Sequence, residues 1–180
     1  DLIYLPETAF DQEQFLVDLQ AKLDQKKSIV VAISEGIRDK DGNYITATEA
    51  AADTFGHAQL SGAGKALEML VADRIGVKVR SVEVNVLQRC AAHLASKTDL
   101  DESFNQGAYG VKISLDNVTG SMVCINRKSN EPYEIEYSHA LIENIANEAR
   151  SIPVEWIDTE NCDIKKELYD YLLPLIQSIL

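Results

Sequence analysis

The chain has 180 residues, 46% apolar and 26% charged, the mixture of one ordinary globular domain or a small pair, which excludes a disordered or fibrous chain. A net charge of −12, from 17 bases against 29 acids, argues against a general nucleic-acid binder and against a protein of anionic membrane surfaces. No apolar run approaches the length of a membrane span, and Asp1–Glu7 has neither the basic region nor the cleavage site of a signal peptide.

The first element expected is a short buried strand, Leu2-Ile3-Tyr4-Leu5, closed by Pro6. Asp11 then reads as a helix N-cap with Gln14 three residues on. Phe15, Leu16, Leu19 and Leu23 follow at helical spacing, and Lys26 and Lys27 stand where the helix dipole favours cations. Ile29–Ile33 is a second unbroken apolar strand. Strand, helix and strand with short joints make a βαβ unit with parallel strands.

Asp41-Gly42 marks a turn within a hairpin or loop, and a short alanine-rich helix is expected from about Thr48. Ser61 is placed to cap a helix with apolar positions at Leu67, Leu70, Val71 and Ile75. Val82, Val84 and Val86 share one phase of a half-buried strand. Helix is expected again near Cys90 and from Thr98 to about Val111, strand over Met122–Ile125, and helix from Ser138 to about Arg150. A last helix opens at Asp163, and Pro174 should kink it. The fold class is α/β, with an open, mainly parallel sheet and helices on both faces. Cys90, Cys124 and Cys162 lie far apart without metal-ligand spacing and read as reduced thiols of a cytoplasmic protein.

Charge is uneven. Residues 65–97 hold six bases against three acids, whereas the remaining chain holds 11 bases against 26 acids. A positive island in an acidic chain suits an anionic ligand; chance clustering on a solvated face is the competing reading. Within it, Arg80 lies early on the alternating segment and Arg89 follows its end. A helix begun near Arg89 would set Arg89, His93 and Lys97 on one face. Guanidinium groups bind phosphate through paired hydrogen bonds, so the ligand class is a phosphate ester. Glu35, in Ser34-Glu35-Gly36, directly follows the second strand, where α/β sheets bind ligands, and a carboxylate there can accept hydroxyl hydrogen bonds. A helix cap or plain surface acid is the alternative for Glu35.

Other motifs fail on inspection. Ser61-Gly62-Ala63-Gly64-Lys65 lacks the first glycine of a phosphate loop, Gln59 standing there, and Ala66 replaces the metal-binding hydroxyl; small residues for close helix packing fit better. Asp39–Asn43 is not a calcium loop, because its glycine is early and no bidentate Glu closes it. His57, His93 and His139 are scattered, and no activated nucleophile is recognisable.

Several stretches taken in order resemble the phosphofructokinase family: Leu2–Glu7, Val30-Val31-Ala32-Ile33-Ser34-Glu35-Gly36 and Arg80–Arg89. Asp53-Thr54-Phe55-Gly56-His57 with Leu60-Ser61-Gly62, Gln88–His93 with Ser96–Asp99, and Ile152–Ile157 are similar to its pyrophosphate-dependent branch. Residues 1–180 resemble only the C-terminal, sugar-phosphate-binding half. The donor site, the aspartate base and the acidic magnesium ligand would belong to an N-terminal half that is absent from these residues.

The resemblance implies a phosphofructokinase-like fold and phosphoryl transfer to the 1-hydroxyl of fructose 6-phosphate in the complete enzyme, this chain being inactive alone. It implies that Glu35 holds sugar hydroxyls, that Arg89 binds the 6-phosphate, and that Arg80 reaches that phosphate from a neighbouring subunit, hence a homo-oligomer. It implies fructose 6-phosphate and fructose 1,6-bisphosphate as small-molecule partners, with Mg2+ as cofactor through ligands outside this chain. Val86 departs from the His or Tyr of many members, and Cys90-Ala91 from the two glycines that commonly follow Gln-Arg. The phosphoryl donor, pyrophosphate or ATP, is not decided by these residues. A non-catalytic sugar-phosphate-binding or regulatory module is the alternative function.

Overall fold

The computed structural model describes residues 1–46 and 62–176, with the backbone alone at Gln88. These residues divide into two compact units, one of residues 1–84 and 152–165, the other of residues 85–151 and 166–180.

In the first unit β1 (Leu2–Tyr4) pairs in parallel with β2 (Val31–Ile33), Leu2 opposite Val31 and Tyr4 opposite Ile33. The crossover is α1 (Gln12–Leu23), and the βαβ expectation holds. Asp11 caps α1 by accepting from the N–H groups of Glu13 (2.9 Å) and Gln14 (3.0 Å), offsetting two of the helix's unpaired donors. Phe15, Leu16 and Leu19 turn inward. With Leu2, Phe10, Ile37, Ile45, Leu67 and Val71 they form the core of this unit. Tyr4, Phe10 and Phe15 form an aromatic trio with ring centroids 5.1–5.6 Å apart.

The turn at Asp41-Gly42 is present, with Gly42 at φ +85° and Arg38 bridging to Tyr44. The helix expected from Thr48 and the cap expected at Ser61 lie outside the described residues. α2 (Ala63–Arg74) starts at Gly62 and buries Leu67 and Val71. A Cβ on Gly64 would stand 3.2 Å from the Ser81 Cβ, so the small residues at the start of α2 do serve close packing. Glu13 and Arg74 tie α1 to α2 through two bonds of 2.9 and 3.0 Å.

The strand expected over Val82–Val86 is not formed. Val82, Val84 and Val86 are exposed, and no strand among the described residues pairs with them. Alternation reports suitability for a pleated surface, and a strand also needs a neighbour to take its hydrogen bonds. β5 (Ile157–Asp158) and β6 (Asp163–Ile164) complete this unit as an antiparallel pair. The Cys162 carbonyl accepts from Ile3 N–H at 2.7 Å.

In the second unit α3 (Leu87–Cys90) ends at Ala91, where ψ is +55°, and a 3-10 turn follows over Ala92–Leu94. α4 (Lys97–Leu115) is the long helix. β3 (Ser121–Asn130) and β4 (Tyr133–Leu141) form an antiparallel hairpin, with a register shift between Arg127 and Ser129. The helix expected from Ser138 is therefore replaced by strand: Ser138 pairs with Cys124, and its hydroxyl accepts from Asn126 Nδ2 at 2.7 Å. Tyr133, Ile135 and Tyr137 alternate half-buried with exposed Glu134 and Glu136, a period of two that outweighs the capping appearance of Ser138. α5 (Lys166–Leu172) begins three residues after Asp163, because Asp163 is taken into β6. It stops two residues before Pro174 and continues as a 3-10 turn over Leu173–Ile176, as a ring without an N–H dictates.

Candidate functional site

Glu35 occupies the turn that leaves the carboxyl end of β2. Ile37 N–H donates to the Ser34 carbonyl (3.3 Å) and Gly36 N–H to the Ser34 hydroxyl (3.2 Å), so the turn is held by its own backbone and by Ser34. Ser34 N–H in turn donates to the Tyr4 carbonyl at 3.2 Å, tying the turn to β1. Glu35 Oε2 is buried and has no hydrogen-bond partner among the described residues. A buried carboxylate oxygen without a donor is costly; Glu7 Oε2 shares that state, so what points to a ligand at Glu35 is its place at the carboxyl end of β2. The helix-cap alternative for Glu35 does not fit this turn.

Arg80 lies in the irregular segment that follows α2, with its side chain exposed. The next residue is fastened: Ser81 donates to Glu68 Oε2 from both its N–H (2.8 Å) and its hydroxyl (2.6 Å). Lys65 donates to the other oxygen, Glu68 Oε1, at 2.6 Å. These three donors, Lys65 foremost, hold the Glu68 carboxyl down to about 2.

Arg89 sits exposed on α3 in the other unit. It is not on one helical face with His93 and Lys97, as the spacing had implied. The break at Ala91 puts His93 in a separate 3-10 turn and Lys97 at the start of α4. Of the six bases in residues 65–97, Lys65, Arg74 and Lys97 are ion-paired to Glu68, Glu13 and Asp101. Lys78, Arg80 and Arg89 have no ion-pair partner among the described residues, and their exposed side chains remain open to an anion. Among those residues no cluster of His, Cys, Asp and Glu is arranged to hold a metal, and no helix is long and apolar enough to cross a membrane.

One polar cluster escaped the sequence reading. Tyr4 Oη and Cys162 Sγ both donate to Asp18 Oδ2 (3.3 and 3.2 Å), while Gln14 Nε2 donates to Oδ1 at 2.8 Å. Burial, then Cys162, raises the Tyr4 phenol well above its ordinary value; burial also raises the Cys162 thiol. The group lines a cavity of about 340 Å³ that includes neither Glu35 nor Arg80. Tyr4 and Cys162 stand 14 and 144 residues from Asp18, and no local pattern links those three.

No known family profile matches the chain. A pyrophosphate–fructose 6-phosphate 1-phosphotransferase of Methylococcus capsulatus is 35% identical over 176 residues, 98% of this chain and 42% of the relative. Its namesake in Xanthomonas campestris is 34% identical over the same shares. The crystal structure of a pyrophosphate-dependent phosphofructokinase from Nitrosospira multiformis superposes with a TM-score of 0.78 at 26% identity, over 99% of this chain and 42% of that one. The chain thus spans less than half the length of these relatives. Over nearly all of its own length, it is similar to phosphofructokinases, with the pyrophosphate-dependent enzymes among its relatives.

Proposed function

We propose that this chain supplies the C-terminal, fructose 6-phosphate-binding half of a pyrophosphate-dependent phosphofructokinase working in the cytoplasm. The observation in the structure that carries the reading is Glu35 Oε2 at the carboxyl end of β2, buried and without a partner among the described residues. A sugar hydroxyl is the neutral donor that would satisfy it without another charge. Arg89 binds the 6-phosphate, and Arg80 reaches the same phosphate in a neighbouring subunit of a homo-oligomer. That the two arginines lack ion-pair partners among the described residues supports these assignments.

In the complete enzyme the 1-hydroxyl oxygen of fructose 6-phosphate forms a bond to a phosphorus of pyrophosphate. The bridging P–O bond breaks, inorganic phosphate leaves, and the hydroxyl proton passes to a base outside these residues. Magnesium, held by acidic residues also outside them, would screen the phosphate charge of the donor. The residues of this chain bind and orient the acceptor. Phosphoryl transfer relies mainly on positioning and electrostatic stabilisation, so contacts remote from the reacting oxygen still lower the barrier. By itself the chain holds the acceptor without turning it over.

The test joins this chain to the part of the Methylococcus relative that lies outside the match. Turnover of fructose 6-phosphate and pyrophosphate to fructose 1,6-bisphosphate is measured. The expected result is activity that Arg89→Ala impairs through KM for the sugar phosphate. A folded chimera that neither turns over nor binds fructose 6-phosphate would remove the reading and favour a non-catalytic module.

A further inference from the structure

Among the described residues two buried side-chain oxygens have no hydrogen-bond partner, Glu7 Oε2 and Glu35 Oε2. They are distant in sequence but hold matching places in the fold. Glu7 stands three residues past the end of β1, and Glu35 two past the end of β2, the parallel neighbour of β1. The two turns are stapled together on both sides. Ser34 N–H donates to the Tyr4 carbonyl (3.2 Å) before them, and Phe10 N–H donates to the Arg38 carbonyl (2.7 Å) after them. Phe10 is 4% exposed and Ile37 fully buried, so both turns are anchored in the core.

Glu7 has one structural task. Its Oε1 accepts from the Ile152 N–H at 3.0 Å, where the chain returns to the first unit. A glutamine would accept the same bond without taking a charge out of water, so that bond does not account for a carboxylate here. Glu7 is in no ion pair among the described residues, and no cluster of His, Cys, Asp and Glu among them is arranged to hold a metal. What its second oxygen lacks, like that of Glu35, is a neutral donor.

We infer that Glu7 is a second sugar-binding residue: its Oε2 accepts one hydroxyl of the ligand while Glu35 accepts another. The site then takes polyhydroxylated phosphate esters that present two donors to the paired turns. The inference rests on the reading above that Glu35 holds sugar hydroxyls, and deepens it from one acceptor to two. Two carboxylates on separately anchored turns read the positions of the hydroxyls as well as their number. A ligand missing one of them leaves a buried charge without a donor.

The experiment measures binding of fructose 6-phosphate and its monodeoxy analogues to the 180-residue chain by calorimetry. In Glu7→Gln the amide oxygen keeps the Ile152 bond, and unchanged hydrogen exchange at that amide shows the structural contact intact. Glu7→Gln is expected to bind fructose 6-phosphate about tenfold more weakly. One analogue should bind the parent equally weakly and lose nothing more in Glu7→Gln, and a different analogue should do the same for Glu35→Gln. If Glu7→Gln does not fold, the parent alone decides: two analogues that each lose about tenfold uphold the inference, and one or none overturns it. A folded Glu7→Gln chain that binds fructose 6-phosphate as tightly as the parent also overturns it and leaves Glu7 as an anchor for Ile152. A folded parent that does not bind fructose 6-phosphate removes the proposed function, and this inference with it.

Discussion

Glu68 and Ser81 are joined by two hydrogen bonds to a single carboxylate oxygen, and the residue they fasten down follows Arg80 directly. The segment after α2 has no strand partner among the described residues, so this clamp holds its backbone to a rigid helix. The exposed Arg80 is thereby carried on a fixed base, as its proposed reach to a neighbouring subunit requires.

The clamp has a pH signature. Lys65, then the Ser81 hydroxyl and N–H, lower the Glu68 pKa from 4.5 to about 2. A lowered folded-state pKa contributes stability in full above the unfolded value and loses it as pH falls through the folded one. The urea midpoint of the parent should therefore fall between pH 4.5 and about 2 more steeply than that of Glu68→Gln, which cannot titrate. Parallel curves would mean that the carboxylate contributes nothing through its charge.

Arg89→Ala in the complete enzyme should raise KM for fructose 6-phosphate by about 10- to 100-fold, the loss of one charge-assisted bond of ~1.5–3 kcal/mol. Steady-state kinetics and a thermal melt on the same preparation separate binding from folding. Arg89 is exposed, so the melt should not move. An unchanged KM removes Arg89 from the site.

Glu35→Gln is predicted to trade affinity for stability. Its buried oxygen has no donor among the described residues, so removing the charge should leave the melting temperature equal or higher. Fructose 6-phosphate affinity should fall about tenfold or more, since a hydrogen bond to a charged group is worth ~1.5–3 kcal/mol. Lower stability with unchanged affinity would make Glu35 a structural acid.

Phe15→Ala should destabilise the first unit by about 3–5 kcal/mol, the usual cost of deleting a core aromatic ring. Phe15 is 2% exposed and packs edge-to-face on Tyr4 and tilted against Phe10. Trp156, the single tryptophan, belongs to the same unit, so urea unfolding followed by its fluorescence reports the loss there.

The thiols should separate in an alkylation time course at pH 8. Cys90 is exposed and should react first. Cys162 is raised by burial and then by Asp18, so less of it is thiolate, and it should react slowly until Asp18→Asn removes its charged acceptor. Equal rates for the two would contradict the Tyr4–Asp18–Cys162 arrangement.

Elements with their causes close together were legible. The β1–α1–β2 unit follows from two apolar runs, Asp11 at a helix start and Phe15, Leu16 and Leu19 at helical spacing, all local terms. Glu35 was legible as a position, because a residue after a parallel strand stands at the end where ligands bind. That its Oε2 is buried without a donor among the described residues was not, since burial depends on what packs over the turn. Reading Ser138 as a cap missed a strand whose alternation ran through Tyr133, Ile135 and Tyr137. A capping side chain is one weak preference, whereas a paired strand satisfies every backbone group along it.

The sequence by itself determined the α/β class, the parallel pair, the charge island and the resemblance to phosphofructokinases, because composition, periodicity and residue order are properties of the chain. Tertiary structure decided which bases in that island are spent in ion pairs, Lys65, Arg74 and Lys97, and which have none among the described residues, Lys78, Arg80 and Arg89. It also decided that valines spaced for a strand lie unpaired and that α4 turns Phe104 outward. Ion pairs, strand pairing and burial each need a second element brought near in space, and local spacing carries no record of which element that is.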